Sequence, residues 1–480
     1  MESFTDDEQT IVVVPTMAGA STSGSMRGWE ERFLFLLFLL RQPRARLVYV
    51  TAQPIHETIV EYYLSLLPGV IPSHARPRFF NPSPFDGEPR SLTKKILERP
   101  RFIEHLRSLI PDPDRAHLVP YNTTQDEVEL AVKLGIPMYG ADPTHFHFGT
   151  KTGCRRLFSE TGVPHPLGQE DLRSVQDLVG AVRSMRAERP QMERAIVKLN
   201  EGSSGSGNAS LDLAGLPAPG SEAEPAAVEE RVRSIEPEAG HIFTTESFLD
   251  ALAEGGIVEE RIEGEDMRSP SVQMRVTPLG KLEILSTHDQ LLGGPTGQTY
   301  LGARFPADQE YAATITREAA KVGERLAEAG VIGRFAVDFI VVRGHSGAWD
   351  PYAIEVNLRK GGTTHPFLTL QFLTDGRYDA EAAVFTAPSG RQKCFVATDH
   401  AEKQAYRGFT HDDIYDVTVR HSLHFDQSRQ TGVVWHMMSP LPELGRVGFT
   451  AVGDSHEEAW DLYQRTIRVL DEESAGDFVG

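Results

Sequence analysis

Near residue 355 the chain reads AIEVNLRKGG, and two oxygen-bearing side chains, Glu355 and Asn357, stand two positions apart in an otherwise apolar strand. Successive strand side chains alternate faces, so both project the same way. Upstream, FAVDFIVV carries one carboxylate, Asp338, among apolar residues, and the two segments read as a hairpin turning near residues 345–347. A register symmetric about that turn sets Asp338 nearly opposite Glu355, although a slip of one residue would send one of them to the other face. Two carboxylates and an amide oxygen on one face suit a hard cation such as Mg2+, which completes its shell with water and phosphate oxygens. Exposed strand carboxylates are the ordinary alternative. Here Phe335, Val337, Phe339, Ile354 and Val356 read as buried neighbours, and a buried carboxylate needs a partner. Beyond the strand, alternation turns Arg359 toward this face and leaves Lys360 as a surface lysine.

A metal–phosphate site also needs a phosphate cradle. VKLNEGSSGSGNASL places Lys198 at a strand end, followed by Gly202, Ser203, Ser204, Gly205 and Ser206. Backbone amides and hydroxyls of such a loop can receive phosphate oxygens. It is not a Walker A loop, because the Gly-Lys-Ser/Thr ending is missing and a strand follows. Standing alone, it reads more simply as a flexible hairpin turn. Arg275 shares a strand face with Ser271 and Gln273, facing either a phosphate or carboxylate, or solvent. THDQ, with His288 and Asp289, and GGTTHP, with Thr363, Thr364 and His365, are polar clusters for the substrate side and for a general base. Loop capping is their plainer role. The early VVVPTMAGASTSGSMRG lacks the G-x-G-x-x-G spacing of a dinucleotide site. His145 and His147 lack a third nearby metal ligand.

The elements that must carry these residues follow from the pattern of the 480-residue chain, long enough for two or three domains. Residues 1–140 alternate buried strands (TIVVVP, RLVYVTA) with helices, which implies a parallel sheet covered by helices. FLFLLFLL at 33–40 is too short for a membrane span of roughly 20 residues and reads as a buried helix. Thr124 and Glu127 fit a capping box. Residues 141–390 form an α+β region, with a mobile phosphate-loop lobe at about 190–260. In it, 213–230 reads as a surface insertion or linker, SVQMRVTPLGKLEILST as a hairpin, and 309–328 as an amphipathic helix. Residues 391–480 form a small α+β unit. The net charge of −20 argues against nucleic acid as a partner. Two distant cysteines, Cys154 and Cys394, give no disulfide framework, and the acidic N-terminus is unlike a secretory signal, so a cytoplasmic protein is expected.

Taken in order, GTKTGCRRLF with Lys151, Lys198 before the glycine loop, VEERIEG, Asp338 and EVNLR resemble the ATP-grasp family of carboxylate–amine ligases over about residues 141–375. The flanking segments STHDQLLGGPTGQTYLGARFP, NLRKGGTTHP and HMMSPLPELGRVGFTAVGDSHEEA are similar to the narrower group of pheganomycin-type peptide ligases, with a pre-ATP-grasp domain ahead of the ATP-grasp fold and a small C-terminal domain behind it. The resemblance implies Mg2+–ATP, with two magnesium ions, held by Asp338, Glu355 and Asn357. It gives Lys151, Lys198 and the 202–206 loop to ATP, Glu259, Glu260 and Ile262 to the adenine linker, and Asp266 or Glu265 to the ribose. Arg359 meets the phosphate being transferred, and Leu358 stands where the family usually has proline. The activity implied is amide-bond formation between a small-molecule carboxylate and an amino-acid or peptide amine through an acylphosphate. Thiol ligation, phosphotransfer and non-catalytic nucleotide binding are the alternatives. A homodimer is common in the family, although no exposed apolar stripe marks an interface.

Overall fold

The computed structural model describes residues 8–17, 23–201, 207–240, 242–293, 299–344 and 347–475. Four short parallel strands open the fold: β1 (Gln9–Val14), β2 (Ala45–Tyr49), β3 (Phe79–Phe80) and β4 (Ala116–Pro120), in spatial order β3-β2-β1-β4. Ile11 and Val13 face one apolar cluster while Val12 and Val14 face another. A strand buried on both faces is what a continuous run such as IVVV specifies. The stretch expected as a buried helix is buried, but it winds as a 3-10 segment over Leu34–Arg41. The Thr124–Glu127 capping box starts the helix Gln125–Leu134.

A second, antiparallel sheet contains β5 (Gly168–Leu172), β6 (Arg194–Leu199), β7 (Asn208–Asp212), β8 (Glu236–Pro237) and β9 (Gly256–Glu260), in order β5-β9-β6-β7-β8. The stretch 213–230 corrects a sequence expectation, because from Glu224 it is the helix Glu224–Arg233, packed under this sheet. Glu224, Val228 and Val232 recur every fourth residue and are all buried, and Glu224 meets Arg186 in a buried ion pair. The alanines and prolines around that stripe hide it in the sequence.

The third sheet has nine strands. Six come from the middle of the chain: β10 (Met267–Arg268), β11 (Pro270–Val276), β12 (Leu282–Gly293), β13 (Thr299–Phe305), β14 (Gly333–Arg343) and β15 (Trp349–Asn357). After a small hairpin of β16 (Arg377–Asp379) and β17 (Val384–Thr386), three more join: β18 (Cys394–Glu402), β19 (Gly432–His436) and β20 (Arg446–Gly453). The order is β10-β14-β11-β12-β13-β18-β20-β19, with β15 paired to β14. The boundary expected near residue 390 therefore falls inside one continuous sheet. Its seam is β13–β18, where Gly302 lies opposite Thr398. A Cβ on Gly302 would stand 2.0 Å from the Ala397 carbonyl oxygen. Gly302→Ala is expected to lower stability by about 1–3 kcal/mol, read as a shift of the denaturant midpoint.

One apolar cluster ties the beginning and end of the chain together, joining Phe33–Leu40 to Phe367–Leu373, Trp435 and Phe449. The helix Gln309–Glu328 lays Ile315, Ala319, Val322 and Leu326 against β11 and β14 residues such as Val272 and Val337. No helix among the described residues is long and apolar enough to cross a membrane.

Candidate functional site

On one face of the third sheet, Ser271 of β11, Asp338 of β14 and Glu355 of β15 lie side by side across three strands. The next level of the same face carries Gln273, Ala336 and Asn357. Near the turn, β14 and β15 pair with Arg343 opposite Trp349, a register that would place Asp338 against Ile354. A bulge between Asp338 and Phe339 inserts the missing residue and brings Glu355 opposite Asp338 instead. Asn357 Nδ2 donates to Asp338 Oδ2 at 2.9 Å, and Lys151 Nζ donates to Glu355 Oε1 at 2.6 Å.

The electrostatics of this face are asymmetric. Burial, together with the charge of Glu355, pushes the Asp338 carboxyl up to about 6, against the hydrogen bond from Ser271 and the charges of Arg359 and Lys151. Burial also acts on Glu355, but Lys151, Arg359 and Lys198 outweigh it and hold that carboxyl below its ordinary range. Lys151 begins the helix Lys151–Thr161, and Thr150 caps it. Its Thr152 N–H donates to Asn200 Oδ1 at 3.0 Å, which anchors the helix to the end of β6. Lys198, one strand end away, forms a buried ion pair with Glu259, which Arg155 also meets at 3.3 Å. The two lysines thus arrive from different segments and act on the same carboxylate. Hard oxygen donors on a face where burial and a neighbouring carboxylate disfavour the ionised form of Asp338 fit a divalent cation such as Mg2+.

Other expected site residues are placed differently. The loop Gly202, Ser203, Ser204, Gly205 and Ser206 lies outside the described residues; the hairpin that carries it closes with Leu199 N–H donating to the Gly207 carbonyl at 2.8 Å. Glu260 is held by Arg189, and its Oε1 accepts from Leu167 N–H at 3.1 Å. Ile262 follows where the chain leaves the sheet beyond Glu260. Asp266 meets Arg268 at 2.5 Å and Arg343 at 3.1 Å.

Four residues sit in surroundings that their local sequence does not indicate. Arg275 is four residues along β11 from Ser271, about 13 Å by strand rise, and its Nε meets Glu283 at 2.5 Å, so its guanidinium is committed to a neighbouring strand. His288 is fully buried against Phe305, Phe367 and Phe395, and burial pushes it down to about 3, so it is a neutral core residue hydrogen-bonded to Ser286. Asp289 accepts from Tyr311 OH at 2.7 Å and from Asp308 N–H at 3.0 Å, fixing the start of the long helix Gln309–Glu328. Lys360 is buried, not superficial: its Nζ donates to the Pro120 carbonyl at 2.7 Å, and desolvation, with the charge of Arg334, lowers it to about 7. The strand ends at Asn357, so its alternation does not reach Arg359 and Lys360, and residues of the leading segment cover the lysine. Thr363, Thr364 and His365 open the buried helix Thr364–Thr374, and Thr364 Oγ1 accepts from Gly361 N–H at 3.0 Å.

Arg359 is half-buried, and its one described hydrogen bond goes to the Lys360 carbonyl at 3.2 Å. Its charge acts on both Asp338 and Glu355, yet it forms no ion pair among the described residues. Tyr300 is a neighbour that sequence reasoning missed. It lies across Gly362, where a Cβ would stand 2.6 Å from its ring, and its phenol feels the charges of both Asp338 and Asp399. The GG pair of RKGGTTHP was its only trace in the sequence. Cys154 is buried with its thiol pushed up to about 12, which leaves no thiolate nucleophile there.

Comparisons with known proteins bear on this arrangement. A family model described as IQCH-like, ATP-grasp, matches residues 144–233 and 225–381, and one described as PGM1 C-terminal domain matches residues 419–466. The L-propargylglycine–L-glutamate ligase of Streptantibioticus cattleyicolor is 29% identical over 455 residues, covering 93% of this chain and 89% of that protein. Biotin carboxylase from Campylobacter jejuni, solved as a β,γ-ATP complex, superimposes with a TM-score of 0.55 at 13% identity, over 98% of this chain and 96% of that one. N5-carboxyaminoimidazole synthetase from Staphylococcus aureus, solved with ADP, gives 0.51 at 10% identity, over 97% and 100%. Those two likenesses concern the fold alone, while the first family match spans the segments that build the carboxylate face and both of its lysines. Over residues 144–381, the stretch that carries the carboxylate face and both lysines, the chain matches the ATP-grasp family.

Proposed function

We propose that the chain is an ATP-dependent ligase that joins the carboxylate of one amino acid to the amine of another amino acid or a short peptide. The observation that carries this reading is the single sheet face on which Asp338, Glu355 and Asn357 meet beside lysines from two other segments. The ligase relative acts, by its name, on L-propargylglycine and L-glutamate, and on that basis we take amino acids as both acid and amine. Division into a leading α/β unit (1–140), an ATP-binding unit (141–390) and a closing unit (391–480) belongs to the same proposal.

In this reading Asp338, Glu355 and Asn357 hold Mg2+, in two ions, which when bound neutralises phosphate oxygens of ATP. Lys151 and Lys198 contact the phosphates, and the 202–206 loop closes over them. Glu259, Glu260 and Ile262 line the adenine, and Asp266 stands toward the ribose. The substrate carboxylate attacks the γ-phosphorus, the bond to the bridging oxygen breaks, and ADP leaves. The amine, having lost a proton, then attacks the acyl carbon of the acylphosphate, and inorganic phosphate departs as the amide forms. Arg359 neutralises charge on the phosphoryl group in both steps. Protein groups position and neutralise, so no nucleophilic side chain is required, in keeping with the inert Cys154.

The test is an assay of ADP release with Mg2+–ATP and a panel of amino acids and dipeptides, with products identified by mass spectrometry. ADP release that requires both an acid and an amine, matched by an amide of the expected mass, is the predicted result. ADP without an amide would move the reading to another acceptor. No ADP release across the panel would overturn it.

A further inference from the structure

A second constellation lies where the start, middle and end of the chain meet. His365, at the start of the helix Thr364–Thr374, Asp399 of β18 and His436 of β19 each offer a ligand atom within 4.8 Å of the others, and all three are buried. Glycine permits the arrangement. His436 pairs with Gly448 of β20, and Asp399 lies in the irregular stretch of β18 that passes the same point from the other side. A Cβ on Gly448 would stand 2.4 Å from both Cδ2 and Nε2 of His436. Only a bare backbone lets the ring lie down toward Asp399.

Hydrogen bonding alone does not account for this cluster. His365 is 2% exposed, and neither of its ring nitrogens has a hydrogen-bond partner. A buried polar group left unpaired forfeits its hydration without compensation and calls for a missing partner. Its Nε2 is 3.4 Å from Asp399 Oδ1, close but out of hydrogen-bond alignment, while His436 Nε2 is 3.1 Å from the same oxygen. Zinc bonds of 2.0–2.1 Å in a tetrahedron separate neighbouring ligand atoms by about 3.3 Å. The two spacings therefore match ligand–ligand edges of such a site. Asp399 is also oriented from behind, because Arg32 takes its other oxygen, Oδ2, in a buried ion pair. An outer partner that fixes a ligating carboxylate is a usual feature of built metal sites. Arg32 is itself held, stacked over Trp29 at 3.9 Å and donating to Tyr121 OH at 3.3 Å.

We propose that His365, Asp399 and His436 form a zinc site with one open position, separate from the carboxylate face of Asp338 and Glu355. Imidazole donors select against Mg2+, and two histidines with one carboxylate suit zinc. The site would pin the leading α/β unit, through Arg32, to β18 and β19.

The test uses the full chain, stripped with a chelator and then reconstituted with Co2+ or Zn2+. One equivalent of Co2+ is expected to give the intense visible absorption of a tetrahedral ion, displaced by Zn2+. X-ray absorption of the zinc form should show two imidazole ligands, which the carboxylate face cannot provide. His436→Gln and His365→Asn should each weaken zinc by more than the roughly 100-fold that loss of an outer partner costs. Absence of the Co2+ band and of tight zinc in the folded wild-type chain would overturn the site, as would binding that survives in both variants. The wild-type measurements decide the matter even where a buried-histidine variant fails to fold.

Discussion

The Asp338→Asn variant is expected to lose turnover by roughly 10²–10³-fold or more while the ligand-free protein becomes as stable as the wild type or more so. The two effects have one cause. Burial and the charge of Glu355 raise the Asp338 carboxyl to about 6, so in the absence of a cation its ionised form is disfavoured in the fold. The sign follows from linkage. An acid with a folded value of about 6 and an unfolded value near 3.8 binds its proton earlier in the folded state, so its penalty is absent below 3.8 and complete above 6. The ceiling of that penalty is about 3 kcal/mol, and solvent at the mouth of the half-buried site lowers it. The Asp338 penalty should therefore be relieved as pH falls from 7 toward 4, and the difference in stability between wild type and Asp338→Asn should shrink over that range. Mg2+–ATP should stabilise the wild type and leave the variant little changed. Thermal unfolding across pH, with and without Mg2+–ATP, checks all of this. A variant that turns over normally, or that unfolds well below wild type at pH 7, would remove Asp338 from the cation-binding role.

Asp338, Glu355 and Asn357 were legible because an oxygen donor inside an apolar strand is conspicuous, and period-two alternation says which donors share a face. The register was only half legible. Symmetry about the turn comes within one residue of the observed pairing, and the bulge after Asp338 that supplies the difference leaves no sequence signature. Residues judged by local polarity fared worse. His288, Asp289 and Lys360 look exposed and functional, or exposed and idle, until strands distant in sequence close over them. Lys360 is covered by Pro120 and the rings of Phe33 and Tyr139, more than 200 positions earlier. The same reasoning explains why the helix Glu224–Arg233 was missed, since a stripe of one glutamate and two valines becomes apolar only once Arg186 neutralises it. The His365–Asp399–His436 cluster was out of reach, because its members sit on three elements that pairing through Gly448 brings together.

For Arg359 the expected result is a fall in kcat of about 10³-fold in Arg359→Ala, with the KM for ATP changed only a few-fold. Lys151, Lys198 and Arg155 are each bound to a carboxylate in the ligand-free protein, whereas Arg359 donates only to a backbone carbonyl among the described residues. A cation already paired must exchange partners to help a phosphate, so its contribution is partly spent. One held beside Asp338 and Glu355 without an ion pair can respond in full to charge that develops later. Interactions made mainly in the transition state appear in kcat and those made equally in the ground state appear in KM, so the split between the two constants reads the role directly. Arg359→Lys should recover part of the rate, because it restores the charge without the planar fork that fits a phosphoryl group. A large rise in KM for ATP at unchanged kcat would show instead that Arg359 anchors the nucleotide. Equal losses in the alanine and lysine variants, with altered unfolding in both, would assign it to holding the end of β15 in place.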